Sequence, residues 1–348
     1  MAVEQLTSSR ELLEEDAEVV TDFLYQRGMT DGLPVIPPTE ERVWRMVAAS
    51  GRPADESLGL VPPLNGQATI EKLAVNAVLA GCKPAYMPLI VAAMRAMLEP
   101  SFALEGLQPT TNPLTPMLVV NGPSRATLEL NCGTGVMGPG WRANATIGRA
   151  IRLILLNLGG ASPGDVDKCT QGFVGKYGLC VGENEEESPW EPFHVSRGFA
   201  AGDDVVTVVG VNSSTNIHDS SGDWRDVLKT LTASLVSPGT ANVADPFSTP
   251  LVLLNPLHAR ILDDAGFSRQ ALQEHIYQHA RLPPDGLSKR REQLRRLEGE
   301  DLFLVDGAIP FTNDPARILI AVAGGLQGGH SCYLSNGHYG HALSRRVE

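Results

Sequence analysis

The stretch Thr115-Pro-Met-Leu-Val-Val-Asn121 is echoed by Thr249-Pro-Leu-Val-Leu-Leu-Asn255. In each, threonine and proline open an unbroken apolar run that stops at asparagine. A strand with one wet face alternates apolar and polar residues, so a run apolar at every position reads as a strand covered on both faces. Pro123 follows the first run and Pro256 the second, each leading into a helix-like segment. Helical stretches also precede them, Pro84 to Leu98 and Asp223 to Leu235. This repeated plan predicts an α/β chain of two similar halves, each a mixed sheet flanked by helices. Further strands are expected at Asp204 to Val211 and Ile318 to Ala323. Residues 1–68 would supply N-terminal helices and a proline-rich connector, 69–200 the first half and 201–348 the second. Asn121 and Asn255 would then stand at the carboxyl ends of buried strands, where open α/β sheets collect their ligands.

The bulk properties agree with such a chain. Of its 348 residues 43% are hydrophobic, enough for one large core or two that share a face. A formal net charge of −12 excludes a nucleic-acid surface, which needs concentrated Lys and Arg. The basic run Lys289 to Arg296 is interrupted by Glu292 and reads as a solvated helix face. The apolar runs fall far short of the roughly 20 residues that cross a bilayer, so no membrane partner is expected. Met1 to Glu18 is acidic where a signal peptide is basic and then apolar, which places the protein in the cytoplasm. A homo-oligomer is compatible with all of this. Locally, an amphipathic helix is expected over Ser9 to Gln26, an ordered connector over Thr30 to Pro38, and a second helix capped by Thr39. Thr69 opens another helix, which Gly81 ends.

The chemistry-bearing residues fall into four groups. Cys82 lies beside Lys83 between the helix ended by Gly81 and one restarted at Pro84; a thiol at a helix N-terminus next to a cation has its thiolate favoured. Cys132, Cys169, Cys180 and Cys332 are weaker candidates, and with no C-x-x-C pair all five are expected as free thiols. Second, Gly138-Pro-Gly140 opens a helix carrying Arg142, Asn144, Thr146 and Arg149. Unpaired N–H groups and two guanidinium groups there predict an anion site. Gly133-Thr-Gly-Val-Met-Gly138 has the spacing of a dinucleotide loop without the flanking strands and acid that one needs.

Third, the acidic loop Glu183 to Glu187, with Glu191 and His194 beyond, crowds carboxylates enough to raise one of them toward acid–base work, and Glu186 is the chosen base. Fourth, Gly324-Gly-Leu-Gln-Gly-Gly-His330-Ser331-Cys332 gathers a histidine, a hydroxyl and a thiol after a buried strand. His330 and His218 are candidates for moving protons, and Ser331 for touching substrate. His218, His330 and His338 form an alternative set of ligands for zinc or another divalent metal, although their spacing matches no metal motif. No cofactor is otherwise required. His258, His275 and His279 read as surface residues of helices.

Four segments also carry a family likeness. Asp31-Gly-Leu-Pro-Val-Ile-Pro-Pro-Thr39, Ala80-Gly-Cys-Lys-Pro84, Arg142-Ala-Asn-Ala-Thr-Ile-Gly-Arg149 and Glu183-Asn-Glu-Glu-Glu-Ser-Pro-Trp-Glu-Pro192 resemble the long proteins of the UGSC family of (seleno)proteins, over most of the chain. The selenocysteine-Gly-Ser-Cys motif of that family is absent here; Gly329-His-Ser-Cys332 is the nearest string. The resemblance implies no particular reaction. The residues themselves favour an enzyme for a small anionic molecule with cysteine-dependent nucleophilic or redox chemistry at Cys82. A metal-dependent hydrolase or lyase with Glu186 as base is the alternative, and a non-catalytic small-molecule-binding subunit the second.

Overall fold

Both echoed runs are strands, and every residue in them is buried. The computed structural model describes residues 6–14, 16–244, 247, 249–289, 304–337 and 340–348. Most of the Lys289 to Arg296 run, and His338, lie outside the described residues.

The chain begins with α1 (Ala17–Gln26), α2 (Glu40–Ser50), a hairpin of β1 (Ser57–Val61) and β2 (Gly66–Thr69), then α3 (Ile70–Ala80), α4 (Met87–Met97) and the single turn α5 (Leu104–Leu107). The first sheet is entered at β3 (Thr115–Asn121), followed by α6 (Ser124–Thr127), α7 (Arg142–Asn157), β4 (Leu179–Gly182) and β5 (Val205–Val211). Next come β6 (Ser213–His218), α8 (Trp224–Leu235), α9 (Ala241–Ala244), β7 (Leu251–Leu254), α10 (Pro256–Asp264) and α11 (Arg269–His279). A short ladder pairs β8 (Arg281–Leu282) with β9 (Ile309–Pro310), and β10 (Leu319–Val322), β11 (His330–Ser335) and β12 (Leu343–Arg346) end the chain.

Two four-stranded sheets share one plan. Their orders are β4-β3-β5-β12 and β10-β7-β11-β6. In each, the echoed strand pairs in parallel with the strand reached through a helical crossover and antiparallel with the strand after that. With the halves divided after β6, so that β3 to β6 form the first and β7 to β12 the second, the last strand of each half completes the other half's sheet. The chain leaves β5 in the first sheet and pairs directly as β6 at the edge of the second, and after β11 it returns to place β12 at the edge of the first. Strands β5 and β12, which the sequence reading grouped with the second half, thus belong to the first sheet.

Side-chain alternation explains why these strands are apolar throughout. Met117 and Val119 of β3 meet Leu251 and Leu253 of β7 in a core between the two sheets. Leu118 and Val120 face the opposite way, into a core with α2, α3, α4 and α7, as Val252 and Leu254 do with α8, α10 and α11. The result is four layers, helices, sheet, sheet, helices, with both sheets covered on both faces. No single helix among the described residues is long and apolar enough to cross a membrane; α4, rich in Met, Leu and Ala, is packed inside the first core.

Helix boundaries follow local chemistry. Thr39, Thr69, Asp223, Asn255 and Ser268 each accept a first-turn N–H with a side-chain oxygen, and Gly81 closes α3 at φ +88°. The first helix is shorter than its periodicity suggests. Asp16 accepts the N–H groups of Glu18 and Val19, so the helix starts at Ala17. Upstream, the N–H groups of Thr7 and Ser8 donate to the buried carboxylate of Glu71 on α3, which holds the N-terminal segment as a strap.

Candidate functional site

A cavity of about 360 Å³ opens where the carboxyl-end loops of the two halves face each other. One wall is the glycine-rich turn Thr134 to Gly138; the other is Ala323 to Gly325 with Gln327, and the floor is Leu253, Asn216, His330, Ser331 and Cys332. The loops are brought together by the Gly324 N–H donating to the Cys132 carbonyl and by the absence of a side chain at Gly325, where a Cβ would stand 2.5 Å from Thr134 Oγ1. Two asparagines shape the turn. Asn144 of α7 pairs with both backbone groups of Asn131, and the Asn131 side chain accepts from Gly133 N–H and donates to the Thr134 carbonyl. Asn144, expected to touch an anion, therefore holds the turn that lines the cavity.

The floor is built by the antiparallel register of β11 and β6, which sets His330 opposite His218 and Cys332 opposite Asn216. Residues opposite one another share a face, and residues two apart on a strand do too, so all four side chains lie on one side of the sheet. His330 and His218 are exposed and stacked, ring centroids 4.3 Å apart. His330 Nδ1 donates to Asn216 Oδ1 at 3.2 Å. An amide oxygen only accepts, so Nδ1 carries a proton in that bond, and Nε2 is left with no hydrogen-bond partner among the described residues. Cys332 is partly buried, and burial pushes its thiol up to about 11.

On the opposite face of β11, Ser331 meets α10. The His258 ring is bonded at both nitrogens, Nε2 to the Asp219 carbonyl at 2.9 Å and Nδ1 to Ser331 Oγ at 2.8 Å. A carbonyl only accepts, so Nε2 carries the proton and Ser331 donates to Nδ1. The Asn255 N–H donates to the same Ser331 oxygen, while the Asn255 side chain caps α10. Ser331 and Asn255 thus join β11 to α10 directly behind His330. His258, read from the sequence as a surface residue, is instead 2% exposed, and burial lowers its pKa.

Asn121 and Glu186 belong to a neighbouring polar knot. Asn121 Nδ2 donates to Glu183 and Glu185, and Arg125 pairs with Glu185 and Glu186. Glu186 is the exposed member, and the Arg125 hydrogen bond holds its carboxyl below the usual range, the reverse of what a general base requires. The raised carboxyl is Glu183, wholly buried, which accepts from Asn121, the Phe193 and Val322 N–H groups and Arg269. Since Glu183 follows β4 and Val322 ends β10, this knot ties the two sheets together.

The expected anion site is occupied by the protein itself. Arg142 Nε and Nη2 both donate to the Gly81 carbonyl. Arg149 makes a two-pronged pair with Asp31, at 2.7 and 2.8 Å, and reaches the carbonyls of Leu33 and Pro34. Thr146 bonds back to the Arg142 carbonyl, and its own carbonyl accepts the Cys82 thiol. Cys82 is buried, and desolvation pushes it up to about 12, outweighing the nearby arginines. These four residues form a structural joint between α3, α7 and the proline-rich connector.

Among the described residues no three or more His, Cys, Asp or Glu side chains converge as metal ligands. Comparison with protein-family models, curated proteins and solved structures gives no match to this chain. Sequence reasoning missed Asn216, His258, Glu183 as the buried member of its loop, and Arg125. Only strand register signals Asn216: counting back from His218 on an alternating strand puts it on the histidine face.

Proposed function

We propose that the protein is an enzyme acting on a small molecule held in the cleft between the halves, with His330 as general acid–base and Asn216 orienting its ring. The observation that carries this reading is the His330–Asn216 hydrogen bond at the floor of the cavity, which leaves Nε2 as the ring nitrogen to exchange a proton. The Ser331, His258 and Asn255 bonds behind β11 hold the strand that presents His330. Thiol chemistry is the weaker course, because Cys82 is sealed in the core and Cys332 is a protonated thiol at neutral pH. Membership among the long UGSC-family proteins belongs to the same proposal. Its support is that the likeness segments meet in space, Asp31 with Arg149 and Gly81 with Arg142.

The test incubates purified protein with pools of small metabolites, follows their loss by mass spectrometry, and repeats the assay with variants. His330→Gln is expected to lower turnover by about 10²–10⁴-fold while ligand binding persists. Asn216→Ala should fall between, and Cys332→Ser should keep most of the activity. Full activity in His330→Gln, or loss confined to Cys332→Ser, would overturn the assignment.

A further inference from the structure

We infer that the cleft binds the anionic group of its ligand, a carboxylate or a phosphate, on the backbone amides of the Thr134–Met137 turn. This rests on the cleft being the substrate site. The N–H groups of Thr134, Gly135, Val136 and Met137 donate to no protein acceptor among the described residues, whereas those on either side are engaged, Gly133 with Asn131 Oδ1 and Gly138 with the Gly135 carbonyl. All four residues line the cavity. Val136 is buried in the core between the sheets, which anchors the turn in place. Gly135 takes φ +71°, and successive N–H groups in such a turn form a concavity that suits an anion.

The facing wall adds to this. Gly325 and Gln327 also line the cavity, and their N–H groups likewise lack a protein acceptor among the described residues. No residue lining the cavity is acidic, in a chain with 40 Asp and Glu. The carboxylates that act on Cys132 from behind, Glu185 and Glu186, are paired with Arg125. A cavity that offers amide donors and one imidazole, and no carboxylate, discriminates for negative charge.

The full-length protein, labelled with ¹⁵N, is titrated separately with inorganic phosphate and with acetate at constant ionic strength. Saturable shifts are expected at the amides of Thr134 to Met137 and Gly325. The anion that saturates at lower concentration identifies the group as phosphate or carboxylate. Gly135→Ala, which disfavours the left-handed turn, should weaken binding by about tenfold or more. If that variant fails to fold, the shift map of the unaltered protein decides alone. Absence of saturable shifts with both anions, or shifts centred on the start of α7 at Arg142, would overturn the inference. Turnover that depends on His330 without anion binding would sink this inference alone, and anion binding without any turnover would sink the catalytic reading alone.

Discussion

Cys82 and Arg149 show how far a residue's type and position in the chain define its chemistry. Cys82 sits between two helices and Arg149 on a helix opened by a glycine-rich loop, settings that suggest reactivity, and both are used to hold the molecule together. The environment decides: a thiol beside two arginines is still raised when it is sealed in the core and bonded to a carbonyl. The Arg149 guanidinium and Asp31 are 15% and 4% exposed, so removing one leaves the other charge buried. Arg149→Ala is therefore expected to lower unfolding free energy by about 2–4 kcal/mol, measured by urea denaturation, and to leave the phosphate shift map unchanged. His330 is the opposite case. Its neighbours in sequence identify it as a candidate, and its partner Asn216 becomes visible only once β6 and β11 are paired.

Helix α10 and strand β11 act as one unit through His258, and this has a pH signature. Burial holds His258 below the ordinary imidazole value near 6.5; the groups that bear on it are Asp219, which favours the charged ring, and His218 and His330, which oppose it. The unfolded chain therefore binds the proton more readily than the folded one. Stability is complete above about pH 6.5 and declines as pH falls from there toward the folded-state value. Between about pH 7.5 and pH 5.5 the urea midpoint should fall, and His258→Gln should flatten that slope. Some slope should persist, because burial and His279 also lower His275. A slope identical in the variant would mean that His258 titrates alike in both states. The glycine-rich turn is the second such unit, legible as a loop from its composition but given its shape by Asn131 and Asn144, which are 13 residues apart.

At the scale of the molecule the two halves are clasped by exchanged edge strands, β6 in one direction and β12 in the other. Each half completes its sheet with the other's chain, so they should unfold together. Differential scanning calorimetry is expected to give one transition, with calorimetric and van't Hoff enthalpies in agreement. Deleting residues 342–348 removes β12 and bares the β5 edge, where Val205 to Val211 are buried. That truncated chain should aggregate or melt as a whole instead of losing one half; a stable, soluble product would show that the clasp contributes little. What the sequence alone determined was local: the two doubly covered strands, the helix caps at Thr39 and Thr69, the stop at Gly81, and the duplicated plan, because apolar periodicity and capping act over a few residues. Which strand edges are shared, that Ser331 and His330 face opposite sides of β11, and that Arg142 and Arg149 are spent on carbonyls and Asp31 were decided by the tertiary structure. Those outcomes depend on groups far apart in the chain competing for the same hydrogen bonds and the same buried space, and no local pattern records which of them wins.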